Sequence, residues 1–173
     1  MATLVALLRG VNVGGRAKVP MAELRSLFES LGHTGVTTYI QSGNVLFSAR
    51  GRVPAASLEA AIATAFGIET TVVLRTPAEL ARVLERNPFH GADTAHLHVG
   101  FLARRPAAAA VAKLERERYL PEEFALAGSD LYVHLPKGLG NARLLPYLDR
   151  RLGVPMTVRN WRTVTKLAEL GTE

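Results

Sequence analysis

Two glycine-containing loops carry the residue types that could bind an anion. The first, LLRGVNVGGRAKVP (Leu7–Pro20), joins an apolar segment to a helix start and contains Arg9, Asn12 and Lys18. Backbone N–H groups at a helix N-terminus, together with cationic side chains, favour a phosphate or a carboxylate. The loop has neither the Gly-Lys-Ser/Thr order of a P-loop nor the G-x-G-x-x-G spacing of a dinucleotide fingerprint. It therefore predicts either a generic anion site or a tight turn whose glycines supply positive φ.

The second loop, LPKGLGNARLL (Leu135–Leu145), also connects a predicted strand to a predicted helix. Lys137 and Arg143 flank its turn, and Asn141 is predicted to cap the helix. Its glycines form G-x-G, but Arg143 stands where a fingerprint would have its third glycine. The alternatives are again an anion site at a helix start or a plain capped turn.

The stretch RNWRTVTK near the C-terminus places an indole among three cations, Arg159, Arg162 and Lys166. Asn160 is predicted to cap the helix that begins there. The face of Trp161 beside these cations could stack a nucleic-acid base or an aromatic ligand. The alternative is that Trp161 packs the last helix onto the core.

The remaining candidates for chemistry lack partners. Ser42 in IQSGN has no glycine two residues before it and lies between two strands, unlike the serine of a nucleophile elbow, so a turn residue is favoured. His96 and His98 would share one face of a predicted strand, but the local sequence offers no third metal ligand. The sequence therefore leaves any catalytic residue unknown and predicts no metal and no cofactor.

The hydrophobic pattern predicts the order β-α-β-β-α-β twice, which is the ferredoxin-like plan. The fold expected is α+β, with two ferredoxin-like halves packed together and an added C-terminal helix. The predicted domains are an N-terminal half (1–75), a connecting helix (76–92) and a C-terminal half with the terminal helix (93–173). Local predictions include a hairpin turn at Ser42–Gly43, a strand over Glu69–Arg75 and a helix over Pro106–Tyr119.

Two predicted strands are apolar on both faces. The segments LVALL and TVVL have no polar alternation, although a lone ferredoxin-like sheet covers only one face with helices. The second face should therefore be covered, either by the other half of the chain or by a second copy in a homodimer.

The composition describes a folded, basic protein. Its 173 residues are 48% hydrophobic and 21% charged, with a net charge of +6. Residues 131–173 carry seven basic and three acidic side chains, so a polyanion or a phosphorylated ligand is a candidate partner, and a solvated basic surface is the alternative. With no cysteine, no signal-peptide pattern and no apolar run of about 18 residues, a cytoplasmic location without membrane contact is expected.

Three separated blocks, LLRGVNVGGRAKVPMAELRSLFESLG, TYIQSGNVLFS and RNWRTVTKLAEL, resemble an uncharacterised bacterial family, domain of unknown function 1697. The resemblance implies an α+β protein with ferredoxin-like halves and supplies no reaction or ligand. The polar residues that carry it are Arg9, Asn12, Lys18, Ser42, Gly43, Asn44, Asn160, Trp161 and Lys166.

Three functions remain open at this point. The first is a binding module for nucleic acid or a phosphorylated ligand, which the basic segments and the two loops favour. The second is an enzyme that holds a small anionic metabolite in a cleft between the halves, using Arg9, Asn12, Lys18, Lys137 and Arg143. The third is a structural or interaction protein in which both loops are merely turns.

Overall fold

The computed structural model describes all residues, Met1–Glu173, and contains eight strands and six α-helices. The strands are β1 (Ala2–Leu8), β2 (Thr34–Tyr39), β3 (Asn44–Ala49), β4 (Val72–Arg75), β5 (Leu97–Leu102), β6 (Glu123–Ala127), β7 (Asp130–His134) and β8 (Met156–Asn160). The helices are α1 (Met21–Ser30), α2 (Ala55–Phe66), α3 (Pro77–Glu85), α4 (Ala108–Ala112), α5 (Leu144–Leu152) and α6 (Trp161–Leu170). No helix is long and apolar enough to cross a membrane.

The chain forms two compact units. The N-terminal unit comprises Met1–Ala81 with Lys166–Glu173, and the C-terminal unit comprises Arg82–Thr165. Each contains one four-stranded antiparallel sheet, ordered β2-β3-β1-β4 in the first and β6-β7-β5-β8 in the second. This repeated strand order confirms the prediction of two ferredoxin-like halves with a C-terminal helix.

Each unit has a core on the helix-covered face of its sheet. In the N-terminal unit, Phe28 of α1 meets Phe47 of β3 edge to face, with ring centroids 5.1 Å apart. In the C-terminal unit, Met156 fills the space above Gly100, where an added Cβ would lie 2.5 Å from the methionine sulfur. A side chain at position 100 would therefore displace the end of the Met156 side chain, while the backbone conformation of Gly100 itself is ordinary.

The opposite face of each sheet is also buried. Val5 and Leu7 of β1 and Val99 and Phe101 of β5 are solvent-inaccessible within a single chain. The prediction that these apolar strands are buried on both faces is confirmed.

The hairpin between β2 and β3 differs from the predicted two-residue turn. Tyr39 pairs with Asn44, which leaves a four-residue loop at positions 40–43. The Nδ2 group of Asn44 donates to the Tyr39 carbonyl (2.8 Å), and Nδ2 of Asn12 donates to the Gln41 carbonyl (2.8 Å). Because Gln41 bonds to Asn12 instead of to the ladder, the strand ends two residues earlier than its β-rich sequence predicts.

The predicted helix over Pro106–Tyr119 is wrong beyond α4. Turns follow Ala112, although the sequence is rich in helix formers. The N–H of Glu115 donates to the hydroxyl of Tyr147 on α5 (2.9 Å) rather than to a carbonyl four residues earlier. A tertiary hydrogen bond therefore overrides local helix propensity at this point.

Two further local predictions are corrected. The strand predicted over Glu69–Arg75 begins only at Val72, because the Thr70 hydroxyl donates to the Arg9 carbonyl (2.7 Å). His96 lies in a short 3-10 helix (Thr94–His96) rather than in β5, so it does not share a strand face with His98.

Candidate functional site

The first glycine loop, Arg9–Pro20, is a small hairpin. The Arg16 N–H donates to the Val13 carbonyl (3.0 Å) across Gly14 and Gly15, whose φ angles are +59° and +74°. Positive φ at both central residues is typical of a type I′ turn, which favours glycine pairs. The glycine pair therefore forms the tip of a turn.

Asn12 holds this loop together with its side-chain amide. Its Oδ1 accepts from the Val19 N–H (2.8 Å), and its Nδ2 donates to the carbonyls of Val19 (2.9 Å) and Gln41 (2.8 Å). The amide thus closes the neck of one loop and attaches it to the neighbouring loop. The geometry gives this predicted ligand residue a structural role.

The Ser42–Asn44 stretch is also part of this framework. Asn44 is completely buried, and its Nδ2 donates to Ser42 Oγ (3.0 Å). Gly43 has a φ of +86°, and an added Cβ would lie 2.6 Å from Cγ2 of Val11. Its carbonyl accepts from the Leu8 N–H (2.9 Å), so the loop is anchored to the end of β1.

Three exposed cations, Arg9, Arg16 and Lys18, lie in or beside this framework. The backbone of Arg9 is fixed by its N–H bond to the Thr71 carbonyl (3.0 Å). The predicted residues of the first loop are thus brought together in the N-terminal unit. Asn12 and Asn44 supply the scaffold, and the cations face solvent.

The C-terminal cluster does not form the predicted exposed basic group. Arg159 is only 6% exposed, and its guanidinium donates to Thr157 Oγ1 (2.7 Å) and to the Val158 carbonyl (3.0 Å). Burial lowers its pKa to about 10. Arg159 is therefore a core cation and is unavailable to a polyanion.

The other members of this stretch have local roles. Oδ1 of Asn160 accepts from the Thr163 N–H (2.8 Å), which confirms the predicted cap of α6. Trp161 is half-buried at the first position of that helix. Lys166 belongs to the N-terminal unit, whereas Asn160 and Trp161 belong to the C-terminal unit.

The second glycine loop lines a cavity of about 300 Å³ in the C-terminal unit. We call this cavity the C-terminal pocket. Its walls are two segments, 118–122 and 137–143, and the lining residues are Arg118, Tyr119, Leu120, Pro121, Glu122, Lys137, Gly138, Asn141, Ala142 and Arg143. The pocket brings together the two cations that the sequence predicted in this loop.

Glu122 joins the two walls of the C-terminal pocket. Its carboxylate accepts from the Arg143 N–H (2.9 and 3.2 Å to its two oxygens) and from the Leu144 N–H (3.0 Å). A carboxylate at a helix N-terminus satisfies free N–H groups and interacts favourably with the helix dipole. The predicted cap by Asn141 is therefore wrong, and the anion at the start of α5 is the protein's own Glu122.

The cations of the pocket differ in their partners. Arg118 pairs with Glu115 (2.6 Å), whereas Lys137 and Arg143 are exposed and form no ion pair within the chain. The guanidinium of Arg143 lies 5.2 Å from the ring centroid of Tyr119, a cation–π distance that restricts where the arginine can move. One exposed lysine and one held arginine thus remain available to a ligand.

Arg118, Tyr119 and Glu122 were missed by the sequence interpretation. The sequence predicts Arg118 and Tyr119 in the helix over Pro106–Tyr119 and Glu122 in the connection that follows it. Once the helix ends at Ala112, the same residues form a wall of the pocket. The one signal in the sequence is Pro121, which is separated from the charged run by two residues and disfavours a helical conformation at Leu120.

His98 is the one buried histidine. It is 7% exposed, its Nδ1 has no hydrogen-bond partner, and burial lowers its pKa below 6.5. No group of three His, Cys, Asp or Glu side chains in the structure could hold a metal ion. His98 is therefore a neutral core residue.

Comparison with known proteins places the chain in a family. Among solved structures, the chain is similar to the conserved bacterial protein SP0830 from Streptococcus pneumoniae, with a TM-score of 0.73 and 25% sequence identity over 100% of this chain and 99% of that one. No curated protein matches the chain. Residues 1–132 match the family described as "Protein of unknown function (DUF1697)". Because the match spans more than half of the sequence, the chain belongs to the DUF1697 family of proteins of unknown function.

Proposed function

We propose that the protein binds a small anionic ligand, carrying a phosphate or a carboxylate, in the C-terminal pocket. The observation that carries this proposal is that Lys137 and Arg143 line one concave site and have no acidic partner. The backbone of Gly138, in the positive-φ region at +85°, lies between them in the same wall. Two cations on adjacent parts of a preformed wall suit a compact anion.

The acidic side chain of the pocket is already engaged by the protein's own backbone, which reduces its effect on a ligand anion. Glu122 uses its carboxylate on the N–H groups of Arg143 and Leu144, so its charge is already stabilised by the start of α5. Against this background, Arg118, Lys137 and Arg143 leave the lining with a net positive charge. A ligand anion would complete this charge balance.

A binding function is favoured over an enzymatic one by the chemistry of the lining. The pocket contains no serine, cysteine or histidine, and its carboxylate is engaged by backbone groups. It therefore has positioning cations but no pair of nucleophile and base. Catalysis in a cleft that combines Arg9 and Lys18 with Lys137 and Arg143 stays a prediction.

A phosphate could come from a free metabolite or from the terminus of a nucleic acid. The volume of about 300 Å³ lies at the lower end of small-ligand sites, which favours a metabolite-sized anion. The exposed cations of the first loop, Arg9, Arg16 and Lys18, are the alternative contact for a longer polyanion. A cytoplasmic location and a homodimer are further proposals for this protein.

Isothermal titration tests the proposal with inorganic phosphate, pyrophosphate, a nucleoside monophosphate and a 5′-phosphorylated oligonucleotide. Lys137→Met and Arg143→Met should each weaken binding about tenfold, the usual scale for losing one charge-assisted contact. The matched control is Lys113→Met, an exposed lysine of the same unit that lies outside the pocket. Equal losses in Lys137→Met and Lys113→Met, or binding that neither variant changes, would refute the proposal.

A further inference from the structure

We infer that the ligand of the C-terminal pocket is an anion that carries an apolar group next to its charge. This inference rests on the proposed function, since it names the class of ligand for the same site. Its basis is a separate observation, the exposed hydrophobic side chains beside the cations. Inorganic phosphate would use only part of such a site.

Six large hydrophobic side chains are exposed in the whole chain: Met1, Val13, Leu31, Ile40, Leu120 and Leu139. Two of these belong to the two walls of the pocket. Leu120 lines the cavity directly and is 55% exposed, and Leu139 follows the lining residue Gly138 and is 50% exposed. Single exposed apolar residues are ordinary, but two beside one charged cavity indicate an apolar contact surface.

The neighbouring leucines differ in exposure from Leu120 and Leu139. Leu135, Leu144 and Leu148 are completely buried in the core of the C-terminal unit and are not available to a ligand. The ring of Tyr119 is occupied by Arg143 on the outside and by Tyr147, whose ring lies 5.3 Å away edge to face. The apolar side chains of the lining that a ligand could cover are therefore those of Leu120, Pro121 and Ala142, and the exposed Leu139 follows the lining residue Gly138 in the other wall.

The geometry divides the ligand into two parts. The anionic group would lie between Lys137 and Arg143. Both residues line the same cavity of about 300 Å³. A short alkyl chain or a single ring attached to that group would then cover Leu120. Phosphomonoesters and carboxylates of small aromatic or aliphatic compounds fit this description. Highly hydroxylated sugar phosphates do not, because they offer little apolar surface to cover the exposed leucine side chain.

A series of phosphate monoesters at constant charge tests this inference. We expect butyl phosphate and phenyl phosphate to bind about tenfold more tightly than methyl phosphate, equivalent to about 1.4 kcal/mol of additional apolar burial. Leu120→Asn should remove this difference between the esters. The matched control is Leu31→Asn, which replaces an exposed leucine of the N-terminal unit and should keep the difference.

The outcomes separate the inference from the proposed function. If all three esters bind with equal affinity and still require Lys137, the anion site is correct and the apolar group is refuted. If none of the esters binds, both fail. Should Leu120→Asn not fold, the comparison of esters on the unmodified protein decides the question by itself.

Discussion

Replacing Glu122 should lower stability and raise anion affinity at the same time. Its carboxylate supplies three backbone contacts at the start of α5, two to the Arg143 N–H and one to the Leu144 N–H. The same carboxylate is the acidic member of the pocket lining. A single substitution at Glu122 should therefore lower the free energy of unfolding and raise the affinity of the proposed site for an anion.

The magnitudes follow from these contacts. Glu122→Ala removes the cap and should cost about 1–2 kcal/mol of the free energy of unfolding, the range for loss of an N-terminal capping side chain. Glu122→Gln keeps an oxygen acceptor and loses only the charge, so its cost should be about 0.3–1 kcal/mol. Without the negative charge, phosphate binding should strengthen roughly fivefold, because a charge a few ångström away in water is worth about 1 kcal/mol.

The assay combines urea denaturation with isothermal titration of inorganic phosphate for both Glu122 variants. The control is Glu123→Gln, an exposed neighbour outside the lining, which should change neither quantity. The reasoning would be refuted by Glu122 variants that are as stable as the unmodified protein. It would equally be refuted if they bound phosphate more weakly while remaining folded.

Three further predictions concern the scaffold. Gly43→Ala should destabilise the protein by about 2–4 kcal/mol in urea denaturation, because φ is +86° and the new Cβ would meet Val11 at 2.6 Å. Asn12→Ala should cost about 2–3 kcal/mol through three lost hydrogen bonds and should speed hydrogen exchange in the first glycine loop, whereas exchange confined to other regions would contradict its role as a clamp. Burial lowers the pKa of His98 below 6.5, so the unfolded chain binds a proton first and stability should fall as pH drops below about 6.5. His98→Leu should reduce this dependence in denaturation curves recorded from pH 7 to 5, with His33, whose pKa is also lowered by burial, accounting for part of the remainder.

The strand and helix order could be predicted because it depends on local periodicity. Alternating and continuous apolar runs identified all eight strands. The strands LVALL and TVVL also indicated that both sheet faces would be buried. These features require only neighbours in sequence.

The candidate site could be predicted only in part, because its second wall depends on tertiary contacts. Lys137 and Arg143 were identified from their positions beside glycines. Tyr119 and Glu122 were not identified, because their roles depend on tertiary contacts. Tyr147 accepts from the Glu115 N–H where local propensity favours a longer helix, and Glu122 accepts from the Arg143 N–H at the start of α5. Helix propensity of a few tenths of a kcal/mol per residue is smaller than such contacts.

The same limit explains the error at Arg159. The sequence around Arg159 is rich in polar and basic residues, which is typical of a solvated surface. Asn160 and Arg162 are indeed exposed in the structure, whereas Arg159 is not. In the structure, Arg159 lies on the buried face of β8, where it is paired with Val99 of β5 and donates to the Thr157 hydroxyl. Strand register, which the sequence does not reveal, decides which of these cations meets solvent.

The most direct test of the anion site is a titration of ¹⁵N-labelled protein with inorganic phosphate followed by amide chemical shifts. The account predicts that the largest shifts occur in the wall of the C-terminal pocket, at Gly138, Asn141 and Arg143, and that they disappear in Lys137→Met. Shifts centred instead on the first glycine loop around Arg16 and Lys18 would contradict it, as would the absence of any shift at concentrations that saturate weak phosphate sites.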